Sequence, residues 1–253
     1  MSTIAPLDPW VRFRAATRAR IGLGRSGDGL PTPALLDFQL AHARARDAVH
    51  GAVDFAVLAA QFPDHDTVTV HSAAADRATY LRRPDLGRRL DDSSRPLLQA
   101  GEYDAAFVIA DGLSAAAVND HATALVHACL DLLPGWTVAP IVLAHQGRVA
   151  LGDDIGAALG ARMVAVLIGE RPGLSVANSL GVYLTWEPRP GRRDSERNCI
   201  SNIHADGLGI DQAARRLTGL MAEARRLKLT GINLKEDVAR LDGPVDQLRG
   251  QEA

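Results

Sequence analysis

The sequence predicts an α/β protein: a mostly parallel sheet with helices on both faces, preceded by a small helical amino-terminal region. Three observations predict it. From about Asp64 onward, short apolar runs alternate with stretches of helical period. Two of those runs, Ala105–Ala110 (AAFVIA) and Met163–Ile168 (MVAVLI), are apolar throughout, as strands covered on both faces must be. The first sixty or so residues show helical patterning and no convincing strand.

In chain order, residues 1–62 form the helical region. Thr32-Pro33 supplies a cap and a first-turn proline for a helix running to about His50. Leu35, Leu36, Phe38, Leu40 and Ala43 recur on it at helical spacing, and Gly51 ends it. Residues 63–233 form the α/β unit. Its strands are Thr67–His71, Ala105–Ala110, Thr137–Leu143, Met163–Ile168 and Leu180–Trp186. Its helices are expected over Ser114–Leu133 and Asp154–Gly160, with a last one from a capping Asp211 to a closing Gly231. Residues 234–253 read as a loose polar tail.

Composition excludes several classes. A formal charge of -2 and only 4% aromatic residues leave neither a basic face for nucleic acid nor a platform for stacking bases. No apolar run approaches the roughly 18 residues of a membrane helix. Cys129 and Cys199 are far apart, without metal spacing or a C-x-x-C, which fits a reducing cytoplasm. Lys228 and Lys235 are the only lysines among many arginines, from coding bias or because guanidinium forks suit subunit interfaces. The stretch Pro9–Gly27 carries Arg12, Arg14, Arg18, Arg20 and Arg25 and no acid, a pattern shared by transit peptides and by basic arms that dock on a partner.

In an open α/β sheet, ligands bind beyond the carboxyl ends of the strands. Four segments answer to that position: Asp111–Ser114, Gln146–Val149, Gly169–Gly173 and Cys199–His204. Glu170, directly after a buried strand, is either an ion pair with Arg171 capping the turn or a charged acceptor for ligand amide and hydroxyl hydrogens. Asp111 reads as a cap for the next helix, and Cys199 alone as a small buried hydrophobe. Ser201, Asn202 and His204 have a binding texture. Gly22-Leu23-Gly24-Arg25-Ser26-Gly27 spells a dinucleotide fingerprint but lacks the strand before it and the helix after it, so it reads as a loop. No triad, H-E-x-x-H or P-loop occurs. The residues alone indicate a ligand-binding α/β domain.

Several blocks resemble the small (light) subunit family of ethanolamine ammonia-lyase: Arg20–Arg25 with Thr32–Leu36, Tyr80–Leu90 (YLRRPDLGRRL), Asp111–Ser114, Gly169–Leu174 (GERPGL) and Arg197–His204 (RNCISNIH). Order and spacing agree from about residue 17 to 233. The resemblance implies a Rossmann-like domain and the cofactor adenosylcobalamin. It implies a large subunit as partner in a hetero-oligomer that converts ethanolamine to acetaldehyde and ammonia. The hard chemistry then belongs to the cofactor, and no catalytic residue is expected here. The resemblance implies, residue by residue, that the family's cobalamin contacts fall on Val149, Glu170 and Cys199. Asn202-Ile203-His204-Ala205-Asp206-Gly207 approaches the motif that places histidine on cobalt, but begins with Asn, and the family keeps the cofactor's own base on the metal. The resemblance leaves the cytoplasm and a bacterial microcompartment as locations; the short stretch before residue 17 gives no support to packaging. Competing readings are a stand-alone nucleotide-binding oxidoreductase and an inactive cofactor-binding subunit.

Overall fold

The structure, a computed structural model, describes residues 8–235. The loose tail expected after Lys235 lies outside the described residues. The amino-terminal region is helical as expected: α1 (Val11–Ala16), α2 (Thr32–His50) and α3 (Phe55–Ala59). The glycine-rich stretch at residues 22–27 is a loop closed by a bridge between Ser26 and Gly29, with no strand before it.

The body follows as β1 (Thr67–His71), α4 (Arg77–Arg82), β2 (Ala106–Ala110), α5 (Ala115–Asp131), β3 (Ile141–His145), α6 (Leu151–Leu159), β4 (Met163–Gly169), β5 (Leu180–Trp186), β6 (Arg197–Ile203) and α7 (Ile210–Leu227). One mixed sheet forms with the order β1-β3-β2-β4-β5-β6. The first four are parallel, and β5 is antiparallel to both β4 and β6. Five strands therefore share one direction.

Every residue of β2 and β4 is buried, because their two faces feed two cores. Phe107, Ile109, Ala165 and Leu167 pack with α3, α5 and α7. Val108, Ala110, Val164 and Val166 pack with Leu151, Ile155 and Leu159 of α6 and with Leu90 and Leu98. α6 sits flush on β4: a Cβ on Gly152 would lie 2.3 Å from Val166 Cγ2.

Several local expectations change. The third strand starts later and the following helix earlier than periodicity suggested. Asp111 does not cap α5. Ser114 does, its Oγ accepting from Ala117 N–H at 3.2 Å. α7 has Gly209 before it and Asp211 in its first turn, with no side-chain cap. It ends at Lys228, left-handed at φ 56°, rather than at Gly231. Thr32 lies inside α2 and does not cap it. The Arg197–Ile203 segment, expected as a loop, is an edge strand; its polar exposed positions hid the alternation. Among the described residues, no helix is long and apolar enough to cross a membrane.

Candidate functional site

Because β1 to β4 and β6 point the same way, the four segments singled out in the sequence gather at one edge of the sheet. The backbone there is unusual: Gln146, Asn202 and Gly112 have φ of 55°, 63° and 59°. The chain leaves β2 toward β3 and leaves β4 toward β5, so the crevice between β2 and β4 is where an open sheet would take a ligand. Here it is closed by backbone. Leu113 N–H donates to Gly169 O at 2.8 Å, and a Cβ on Gly112 would stand 2.4 Å from that oxygen. Ligand space must lie beside this point.

On one side is the outer face of β5 and β6. Alternation sends Leu180, Val182, Leu184 and Trp186 into the core with α7, and Gly181, Tyr183 and Thr185 to the opposite face. α6 packs chiefly on β4 and β2; on this face Gly181 and Thr185 are buried, and it is open as a ledge only at Tyr183 and, across from it, Cys199. Tyr183 is half-buried on it, opposite Cys199 across the strand pair. Cys199 is exposed, contrary to the expectation of a buried hydrophobe. Burial chiefly pushes the Tyr183 phenol up to about 12, and burial with the Glu170 charge pushes the Cys199 thiol up against a hydrogen bond from Tyr183. Both are neutral at pH 7, so Cys199 is not poised as a thiolate nucleophile.

Glu170 stands at the head of the ledge. Its Oε2 accepts from Ser179 Oγ at 2.5 Å and from Asn202 N–H at 3.4 Å. The carboxylate lies over Gly181, where a Cβ would stand 2.9 Å from Oε1. Among the described residues no hydrogen bond reaches Oε1 and no ion pair joins Glu170 to Arg171. The turn-capping ion pair is thereby replaced by a carboxylate held through one oxygen with the other available.

Val149 lies in the turn between β3 and α6, partly buried against the second core. The Tyr80–Leu90 block braces this turn. Tyr80 Oη donates to Gly147 O at 3.1 Å, Arg148 N–H donates to Gly87 O at 2.8 Å, and the Arg148 guanidinium lies 4.2 Å from the Tyr80 ring centre. Gly87 must be glycine, since a Cβ would meet Arg148 Cγ at 2.9 Å. Asp111 adds a tie, accepting from Gln146 and Gly147 N–H at 3.0 and 3.1 Å; burial nevertheless pushes its carboxyl up. Among the described residues, Gln146 Oε1 and Arg148 Nε are buried without a hydrogen-bond partner.

The structure thus places Glu170 and Cys199 on one ledge, and Val149 in the turn at the root of α6. Sequence reasoning missed Ser179, Gly181 and Tyr183. The signal was Tyr183, a side chain with a polar tip on the face of Leu180–Trp186 opposite its leucines, although Gly181 and Thr185 beside it are buried.

On the other side of the closed crevice lies a cavity of about 900 Å³ between α2, the start of α5 and residues 173–178. None of the three expected contacts lines it. His204 does, but its Nε2 faces Asn202 Oδ1 at 2.9 Å and its Nδ1 accepts from Asp206 N–H at 3.2 Å. Both ring nitrogens are engaged locally.

The fold defines a class: an α/β protein with a mixed six-stranded sheet, whose candidate site gathers at the carboxyl edge where open sheets take ligands. Comparison with known proteins narrows it. The profile of the family described as "Ethanolamine ammonia-lyase light chain" matches residues 7–235, and the chain belongs to that family. It is 53% identical over 249 residues to the "Ethanolamine ammonia-lyase small subunit" of Xanthomonas campestris pv. campestris, covering 94% of this chain and 91% of that one. With the proteins of the same name from Pseudomonas putida (strain GB-1) and Pseudomonas syringae pv. tomato it shares 52% over 245 residues and 51% over 243. The alignments cover 93% and 92% of this chain and 90% and 85% of those relatives. Membership of this family replaces the oxidoreductase reading.

Proposed function

We propose that this chain is the small subunit of an adenosylcobalamin-dependent ethanolamine ammonia-lyase, working with a large subunit in a hetero-oligomer. Family membership over residues 7–235 supports the reaction. The observation that carries the cofactor reading is the ledge, with Glu170 fixed by Ser179 and its Oε1 without a hydrogen-bond partner among the described residues. A corrin is a broad plate edged with amide arms. It asks for a flat apolar-and-polar surface and for acceptors of amide hydrogens. The exposed Cys199 and the half-buried Tyr183 offer the surface, Glu170 is the charged acceptor, and Val149 is a wall beside it.

When bound, adenosylcobalamin supplies a radical by breaking its cobalt–carbon bond. The residues of this chain hold and orient it, exclude water from one side, and leave substrate binding to the large subunit. The same reading treats residues 63–233 as a Rossmann-like unit, since the connections after β2 and β3 cross opposite faces of parallel strands. It treats residues 1–62 as a docking arm and residues 234–253 as a separate tail, in a protein acting in the cytoplasm or in a microcompartment.

The test is acetaldehyde release from ethanolamine and adenosylcobalamin by a matching large subunit, with and without this chain. Activity requiring both supports the assignment, and full activity of the large subunit alone overturns it. Glu170→Ala is expected to weaken cobalamin binding about tenfold or more, the loss of a charge-assisted hydrogen bond. Unchanged binding would remove Glu170 from the site.

A further inference from the structure

Asp153, in the first turn of α6, and Arg197, the first residue of β6, form a forked ion pair with both N–H···O distances at 2.6 Å. Both side chains are 2% exposed. Arg197 Nη1 also donates to Thr185 Oγ1 at 2.9 Å, and Nη2 to Arg192 O at 3.0 Å. The neighbouring Asp154 accepts from Leu90 N–H at 2.9 Å, so the root of α6 is tied on both sides.

Stability alone does not account for this pair. Removing two ions from water costs several kcal/mol each, and apolar residues of similar volume often serve a core as well or better. What a fork of two parallel hydrogen bonds adds is orientation, which apolar contact does not fix. Its place in the chain shows what is oriented. Asp153 lies four residues after Val149, and Arg197 two residues before Cys199. β6 is an edge strand with β5 as its strand neighbour, while α6 rests mainly on β4 and β2. The pair therefore links the two elements whose relative placement sets the width of the ledge.

We infer that Asp153 and Arg197 are positioning residues for the cobalamin surface, fixing the wall at Val149 relative to the strand carrying Cys199. The inference rests on the cofactor reading above. The test uses the chain assembled with its large subunit and cyanocobalamin, an unreactive form whose binding is followed by absorbance. If the parent complex does not bind it, the cofactor reading itself fails before any variant is compared.

Asp153→Asn leaves the buried Arg197 with only the exposed Asp194, 3.6 Å from its Nε, as a counter-charge and risks unfolding, so the informative variant is the double replacement Asp153→Leu with Arg197→Met. It is expected to keep the thermal unfolding midpoint of the complex within a few degrees while weakening cyanocobalamin binding about tenfold, as loss of supporting contacts does at other sites. Arg197→Lys, which keeps the charge and loses the fork, is expected to fall between parent and double variant. Parent-like binding in the double variant overturns the proposal. So does a loss of binding that only follows a loss of folding or assembly.

Discussion

Two helices of similar length meet opposite fates. α5 has 17 residues and buries seven, among them Leu125 and Val126 at the centre of the first core. α2 has 19 residues and buries one, Ala48. Its Leu35, Leu36, Phe38 and Leu40 are 40, 58, 38 and 50% exposed. Trp10, Val11 and Phe13 in and beside α1 are exposed too. A helical period of apolar residues announces that a face will be covered and does not say by what. The chain itself covers α5. Adjacent exposed apolar side chains in the arm leave a face that this chain does not cover, and the assembly proposed above would cover it with the large subunit.

The comparison is broken most directly by paired truncations. Leu125→Ala is expected to lower unfolding stability by about 2–5 kcal/mol, the cost of a cavity in a dense core. Leu36→Ala should stay within about 0.5 kcal/mol in the isolated chain, as exposed positions do. Equal losses in denaturant titrations would mean that the arm is packed within its own chain. A smaller, sharper effect concerns assembly. Leu36→Glu with Leu40→Glu should leave the melting curve of this chain unchanged and weaken association with the large subunit at least ~10-fold, as charges do inside an apolar contact. Parent-like co-assembly on a sizing column would move the docking surface elsewhere.

The same contrast explains what was legible in the sequence. β2, β4 and β5 could be read because a strand covered on one or both faces writes its burial into local composition. Gly169-Glu170 and the turn at Val149 could be placed at the sheet edge because each directly follows such a strand. β6 could not: its exposed Cys199, Ser201 and Asn202 look like loop residues until β5 is known to lie beside them. Nor could the Asp153–Arg197 pair, whose partners are 44 residues apart. The Tyr80–Leu90 block is a third case. Its resemblance to the family was plain, but its physical role, bracing the turn that carries Val149, depends on contacts across more than sixty residues.

The seam between arm and body offers the gentlest probe. Phe55 of α3 meets the His145 ring edge-on at 4.5 Å, and His71 stacks on the same ring at 5.2 Å. Burial, and secondarily the charge of His71, pushes the His145 pKa below its ordinary 6.5. In the unfolded chain His145 titrates near that ordinary value, so as pH falls through it the unfolded state takes up a proton that the native state refuses. The contribution of a neutral His145 is fully present above about pH 6.5 and is lost below it. Urea midpoints should therefore fall more between pH 8 and pH 5.5 in the parent than in His145→Asn. Because Phe55 belongs to the arm and His145 to the body, the acid-side loss should come with earlier proteolytic release of residues before β1. Equal falls in parent and variant would assign the acid sensitivity to other groups and leave arm and body joined independently of this ring.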